Sequence, residues 1–299
     1  MTTKQLNTTI DQALHFVLLT ACFFLINADD TCLSQEQLID VGGYKLQCRE
    51  DGTGDPAVVF LNGGIAEMSY WDEVAGPISK ITKVILYERA GHDKSEMGRI
   101  PRHGINVAEE LNVLLKKLRV SKRYILLAHS AGCMYARIYA SLYSEEVAAL
   151  ILLDPGDKDF LDTFGNKFLK GDEKQQWKDY WINTWARLAK REGGFGHEVQ
   201  EKDNTIQQML ESRIPENLIY YVLSGLDRSN PDYFIKDYSK KVIEDFFDYQ
   251  LDYHHSLIKD YPEGEIIIVE DSQHVIHQDR PDIVISTIKT VIESVKNSH

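Results

Sequence analysis

The chain predicts an α/β fold: a mostly parallel sheet with helices on both faces and a long segment inserted after the sixth strand. Three observations predict it. Short, wholly apolar runs such as Ala57-Val-Val-Phe-Leu61 alternate with stretches whose apolar residues recur at helical spacing, the pattern of strands buried on both sides between helices. One such run, Tyr124-Ile-Leu-Leu-Ala-His, passes through Ser130-Ala-Gly straight into a helical stretch from Cys133. The alternation then stops after Asp154-Pro155-Gly156 and resumes only at Leu218, which leaves about 157–216 for an insertion.

Taken in order, Leu38-Ile-Asp-Val41 and Tyr44-Lys-Leu-Gln-Cys-Arg49 flank Gly42-Gly43 and predict a hairpin. Ala57 to Leu61 is the third strand, followed directly by Asn62-Gly63-Gly64-Ile65. Thr82 to Tyr87 is the fourth, leading into Glu88-Arg-Ala-Gly-His-Asp-Lys-Ser95, and Val107 to Leu118 is a helix. Tyr124 onward is the fifth strand, Cys133 to Tyr143 a helix and Ala148 to Leu153 the sixth strand. Within the insertion, Trp177, Tyr180, Trp181 and Trp185 fall on one helical stripe, best explained by packing of insertion on body, and Gly193 to Gly196 is a loop or hinge. Leu218 to Leu223 is the seventh strand, residues 232 to 260 are helical and acidic, Glu265 to Glu270 is the last strand, and Asp282 to Lys296 is a closing helix. No repeat or linker marks a second autonomous domain within 31–299.

The junction at Ser130 carries the chemistry. A strand that reverses into a helix needs one residue in a tight, strained turn, and Ala128, Ala131 and Gly132 are small enough to let the two backbones pass. Ser130 would stand at the tip, above free N–H groups and the positive end of the helix. This Gly-x-Ser-x-Gly-like elbow, with Ala128 in the first glycine position, resembles the α/β-hydrolase superfamily. So do the Asn62-Gly63-Gly64 turn, where the family has His-Gly, and Glu88 to Ser95, which is similar to its Asp-Arg-x-Gly-x-Gly-x-Ser turn with Glu88 and Asp93 as departures. Ser272-Gln-His274 with Asp279 and Pro281 resembles its Gly-His-x-x-x-x-Glu-x-Pro closing motif.

The resemblance implies the α/β-hydrolase fold with a helical lid at about 157–216, inserted after the sixth strand, a serine nucleophile, Ser130, and a histidine base, His274. It also implies an oxyanion hole made by the backbone N–H of Ala131 with that of Ile65 or Gly64. A hydroxyl is a poor nucleophile at neutral pH, and imidazole titrates in the range needed to activate it. Among the other histidines, His277 falls in the turn toward the closing helix, His129 packs beside the elbow, and His254 and His255 lie in the helical stretch before the last strand. Two strand-end aspartates can orient the base. The family usually supplies the acid after the seventh strand, here Asp227, and a minority, pancreatic-type lipases among them, supplies it after the sixth, here Asp154 in Leu153-Asp154-Pro155. Asp227 is favoured by chain order and strand count. Glu88 to Ser95 reads as structural, with Arg89 near the site entrance.

The implied activity is hydrolysis of a small or medium ester, lactone or thioester through an acyl-enzyme on a small-molecule acyl substrate, with neither cofactor nor metal. Other acyl transfer, peptidase activity, or a ligand-binding or sensing protein with little turnover are the alternatives. A serine at the elbow speaks against epoxide hydrolases and haloalkane dehalogenases, whose elbow nucleophile is a carboxylate.

A formal net charge of -13 over 299 residues speaks against nucleic acid and against anionic membrane surfaces as partners. Cys22, Cys32, Cys48 and Cys133 lack metal-ligand spacing. Cys32 and Cys48 can pair only in an oxidising compartment with suitable geometry. Lys4 precedes an apolar run, Ala13 to Ile26, followed by Asn27-Ala28-Asp29, which resembles a secretory signal within 1–30 with cleavage after Ala28. The expectation is an extracytoplasmic or secreted protein. The alternative is a cytoplasmic or membrane-associated one, with residues 1–30 as a helix packed on the domain or a membrane-associating segment.

Overall fold

The computed structural model describes residues 35–298 apart from 157 and 233, and only the backbone of 158–160. The leader at 1–30, with Cys22, and the Cys32 half of the cysteine pair lie outside the described residues. Among those described, no helix is long and apolar enough to cross a membrane.

The apolar runs become the centre of one eight-stranded sheet. Its strands are β1 (Gln37–Asp40), β2 (Lys45–Asp51), β3 (Val58–Leu61), β4 (Val84–Tyr87), β5 (Tyr124–His129), β6 (Val147–Leu153), β7 (Ile219–Gly225) and β8 (Gly264–Val269), in the order β1-β2-β4-β3-β5-β6-β7-β8. The hairpin strands β1 and β2 pair antiparallel, and β2 is antiparallel to β4. From β4 through β3 to β8 every pairing is parallel.

Successive side chains of a strand point to opposite faces, and here both faces are covered. Val59, Leu61, Leu126 and Leu150 pack with Leu111 and Leu114 of α2 (Gly104–Lys117) and Tyr139 of α3 (Ala131–Leu142). Val58, Phe60, Ile125 and Ile151 face the other way, onto Val74 and Ile78 of α1 (Asp72–Ser79) and Val284, Ile288 and Val291 of the closing helix (Pro281–Asn297). Burial on both faces is why these strands read as unbroken apolar runs. The edge strand β8 is covered less completely.

Between β6 and β7 the described residues form four helices: α4 (Lys158–Phe168), α5 (Gly171–Leu188), α6 (Gly194–Gln200) and α7 (Lys202–Glu211). After β7 come α8 (Lys240–Ile258), capped by Ser239 accepting from the Val242 N–H, the short α9 (Ile276–Asp279), and the closing helix α10. A third apolar cluster joins the insertion to α8 through Phe164, Trp177 and Phe246. Trp177 is buried at 3% exposure with its indole N–H donated to the Leu161 carbonyl at 2.9 Å. It is a packing residue.

Candidate active site

The reversal at the end of β5 places Ser130 at φ 51° and ψ -121°, backbone that a non-glycine residue adopts only under constraint. Two glycines supply the room. A β-carbon on Gly132 would sit 2.6 Å from the Asn62 carbonyl oxygen, and one on Gly63 would sit 2.9 Å from His129 Nδ1. The Ser130 N–H still donates to the Leu153 carbonyl at 3.0 Å, so the sheet's hydrogen bonding extends to the turn. Ala128, in the first glycine position of the elbow, is fully buried in β5.

His274 stands in the loop between β8 and α9, and its Nε2 lies 2.9 Å from Ser130 Oγ. Its Nδ1–H donates to Asp154 Oδ2 at 2.6 Å. A carboxylate only accepts, so the proton resides on Nδ1, and the neutral ring then offers the Nε2 lone pair to the serine hydroxyl. Burial alone would push His274 down. The hydrogen bond and charge of Asp154 outweigh it, helped by the charge of Asp232, and the imidazole is raised above its ordinary 6.5.

The aspartate placed against His274 is thus Asp154 and not Asp227, which chain order and strand count favoured. Asp154 follows β6 directly, is buried, and takes φ 44°, a left-handed turn that aspartate tolerates. Its Oδ1 accepts from Gln250 Nε2 of α8 at 2.7 Å and from the Gly225 N–H at 3.3 Å. Asp227 is spent on its own turn: its Oδ1 accepts from the Ser229 N–H at 3.0 Å and the Ser229 hydroxyl at 2.6 Å. The sequence signal for Asp154 was the Leu-Asp-Pro setting. Gln250 had no local signal at all.

Of the other histidines weighed above, His129, His254 and His277 are buried. His129 Nε2–H donates to the His274 carbonyl at 2.9 Å, tying the elbow to the histidine loop. His277 stacks on Trp71 with ring centroids 4.1 Å apart, and burial, then the charge of His274, push it down to about 3. His254 Nε2–H donates to the Pro155 carbonyl at 2.9 Å and Nδ1 accepts from the Ser224 hydroxyl at 2.8 Å, with burial first among the causes that lower it. His255 is exposed on the same helix.

The turn after β3 explains the departures from the family pattern. Asn62 Nδ2 donates to Glu88 Oε2 at 3.0 Å and its Oδ1 accepts from the Trp71 indole N–H at 2.7 Å. Glu88 also accepts from the Met68 N–H, and burial pushes its carboxyl up to about 7. Asn62 and Glu88 thus depart together, each holding the other. Arg89 is buried beneath the turn rather than near the entrance, donating to the carbonyls of Asn62 at 2.7 Å and Gly63 at 2.9 Å.

A cavity of about 610 Å³ opens at this site. Ser130, His274, Gly64 and Ala131 border it, while the Ile65 side chain is 63% exposed outside it. Met134 and Tyr135 of α3 line it from the body, and Trp181, Trp185, Phe195 and Val199 line it from the insertion. Along the aromatic stripe of α5, Trp177 packs in the core, Trp181 both packs against that core and lines the cavity, and Trp185 lines the cavity.

Comparison with known proteins agrees with this architecture. The aligned stretches cover less than half the length of curated relatives such as the uncharacterized protein YbdG of Bacillus subtilis (strain 168), which is 33% identical over 123 residues, 40% of this chain and 37% of its own. Among solved structures, a thermophilic esterase from Thermogutta terrifontis superposes with a TM-score of 0.58 at 16% identity, covering 88% of this chain and 99% of that one. A Vigna radiata epoxide hydrolase mutant superposes with a TM-score of 0.62 at 14% identity, covering 87% and 98%. Such identities establish a shared fold across differing chemistries. The profile of the alpha/beta hydrolase fold matches residues 56–251, well over half the chain, and the protein belongs to that family.

Proposed function

We propose that the protein is a serine hydrolase that cleaves a small or medium ester, lactone or thioester through an acyl-enzyme on Ser130. The observation that carries this reading is the unbroken chain from Ser130 Oγ through His274 to Asp154, at 2.9 and 2.6 Å, on the wall of the cavity. His274 Nε2 takes the hydroxyl proton as Ser130 Oγ bonds to the substrate carbonyl carbon. Asp154 keeps the imidazole in the Nδ1–H tautomer and offsets its charge once protonated. The N–H of Ala131, first residue of α3 and so without an intrahelical partner, and that of Gly64 receive the developing oxyanion. Collapse expels the leaving oxygen or sulfur, which takes the Nε2 proton, and water then attacks the acyl-enzyme by the same proton route.

The cavity's size and its aromatic wall support an apolar acyl or alcohol portion, and the four inserted helices serve as its lid. Gly64 is preferred to Ile65 as the second oxyanion donor because it borders the cavity.

The test is fluorophosphonate labelling of the wild type and Ser130→Ala, followed by turnover of p-nitrophenyl esters of increasing chain length. Labelling and turnover should both vanish in Ser130→Ala while the circular dichroism spectrum is retained. A folded wild type that neither labels nor hydrolyses any ester would replace this reading with a binding or sensing role.

A further inference from the structure

The peptide that presents the Gly64 N–H is aimed from beneath. A peptide group is planar and trans, so fixing the Gly63 carbonyl fixes the Gly64 N–H in the opposite direction. Arg89 does the fixing: Nη1 donates to the Asn62 carbonyl at 2.7 Å, and Nη2 to the Gly63 carbonyl at 2.9 Å and the Gly64 carbonyl at 3.4 Å. The guanidinium is a rigid planar fork, so whatever holds its other edge sets the tilt of all three peptides.

That other edge is held by Glu198 of the inserted helix α6. Arg89 Nε donates to Glu198 Oε1 at 2.9 Å and Nη2 to Glu198 Oε2 at 3.0 Å, a two-point carboxylate contact with both side chains nearly inaccessible to water. His92 Nε2 lies 3.2 Å from the same Oε1, and Arg102, itself paired with Glu110, lies 3.5 Å away. The start of α6 is seated on the body without slack. The Gly194 N–H donates to the Gly91 carbonyl at 2.8 Å, and a β-carbon on Gly194 would meet the Ala90 carbonyl oxygen at 2.1 Å. Phe195 covers Gly64, where an added β-carbon would sit 2.8 Å from its ring.

We propose that Glu198 is a positioning residue for the oxyanion-binding peptide, so that the seating of α6 on the body acts, through Arg89, on transition-state stabilisation as well as on the shape of the pocket. A residue 134 positions on from Gly64 in the sequence would then hold one of the two oxyanion donors in aim. This rests on the serine-hydrolase reading above.

The experiment compares wild type, Glu198→Gln and Glu198→Asp on the best p-nitrophenyl ester. It also measures inhibition by a trifluoromethyl ketone, whose carbonyl carbon bonds to Ser130 Oγ and leaves a negatively charged oxygen in the oxyanion site. Glu198→Gln should lower kcat about 10- to 100-fold with KM held within about two-fold, and weaken ketone inhibition in parallel, as expected when only the transition state loses a donor. Glu198→Asp keeps the buried charge balanced but reaches one fork contact instead of two, so its losses should have the same signature and be smaller. If Glu198→Gln does not yield folded protein, Glu198→Asp is read by the same two measures. Unchanged kcat and ketone inhibition, or a raised KM at unchanged kcat, would overturn the proposal while leaving the serine-hydrolase reading intact. A wild type without ester turnover would remove both.

Discussion

The ends of β6 and β7 are neighbours on one edge of the sheet, each followed by an aspartate, yet the two carboxylates have opposite fates. Asp154 is approached by groups from elsewhere in the fold: His274, Gln250 on α8, and the Gly225 N–H at the end of β7. Asp227 accepts from Ser229, two residues away, by both backbone and side chain, while its own N–H donates to the Ser272 carbonyl. An aspartate whose oxygens close its own turn is committed to local structure. One whose oxygens are occupied by distant donors is committed to tertiary structure, and it alone can fix a histidine against a serine on another strand. The difference was made by what packs above each strand end.

The sharpest way to break this contrast is Asp154→Asn. The amide keeps the size and the turn but loses the charge and can present a donor to Nδ1, which favours the wrong tautomer. If the protein turns over esters as proposed, kcat should fall by about 10³- to 10⁴-fold with the fold retained. The pH profile should move as well. Asp154 raises His274 above 6.5, so wild-type kcat/KM should climb with pH through a midpoint above that value as the imidazole loses its proton. In Asp154→Asn the residual activity should climb at lower pH. The same shift makes the pair's contribution to stability complete below the unfolded histidine value and lost as pH rises through the folded one. A midpoint unmoved by Asp154→Asn would show that another group governs the base.

The sheet was legible because a parallel strand buried on both faces leaves a local signature. Ser130 was legible because only a run of small residues allows the elbow, and His274 because it follows the last strand within a recognisable closing pattern. The acid was not. Strand count and chain order were insensitive to Gln250, 96 positions from Asp154, and to His254, which holds the Pro155 carbonyl from 99 positions away. The paired departures at Asn62 and Glu88 were equally opaque, since each looks like an isolated substitution until the fold puts their side chains 3.0 Å apart. The aromatic stripe of α5 teaches the same limit. Helical spacing put Trp177, Tyr180, Trp181 and Trp185 on one stripe, but which of them would meet a core and which a cavity depended on rings from elsewhere: Phe164 and Phe246 pack on Trp177, Phe234 reaches both Trp177 and Trp181, and Trp181 and Trp185 also border the cavity.

Gln250 and His254 offer a finer test of tertiary commitment. Gln250→Leu removes a donor 2.7 Å from Asp154 Oδ1, and the carboxylate loses one of the bonds that hold its plane toward His274. The expected cost is about ten-fold in kcat, the size of one hydrogen bond to a charged group, with KM nearly unchanged. His254→Phe frees the Pro155 carbonyl and the Ser224 hydroxyl together. Two buried polar groups then lack partners, so a lowered melting temperature should accompany a smaller loss of kcat. A large rise in KM in either variant would mean that α8 acts on substrate contacts and not on the carboxylate.

The smallest effect belongs to Asp227→Asn, and its smallness is the informative part. Asparagine keeps an oxygen that can accept from the Ser229 N–H and hydroxyl, and it closes such turns as readily as aspartate does. The turn meets the histidine loop through the Asp227 N–H on the Ser272 carbonyl and the Asn230 carbonyl on Gln273 Nε2, contacts that the substitution leaves in place, while the Asp227 carboxylate itself is bonded to Ser229. The variant should therefore keep kcat and KM within about two-fold of wild type and keep the midpoint of the pH profile. If the loss instead approached that of Asp154→Asn, the acid would have to swap partners during turnover, with the β7 end moving inward and the Ser229 turn opening. The double variant Asp154→Asn, Asp227→Asn separates the two cases. Independent strand ends give a loss equal to that of Asp154→Asn alone, because distant sites add and one of the two terms is near zero. A shared role gives a loss larger than the sum, since residual activity in the single variant would then have depended on Asp227.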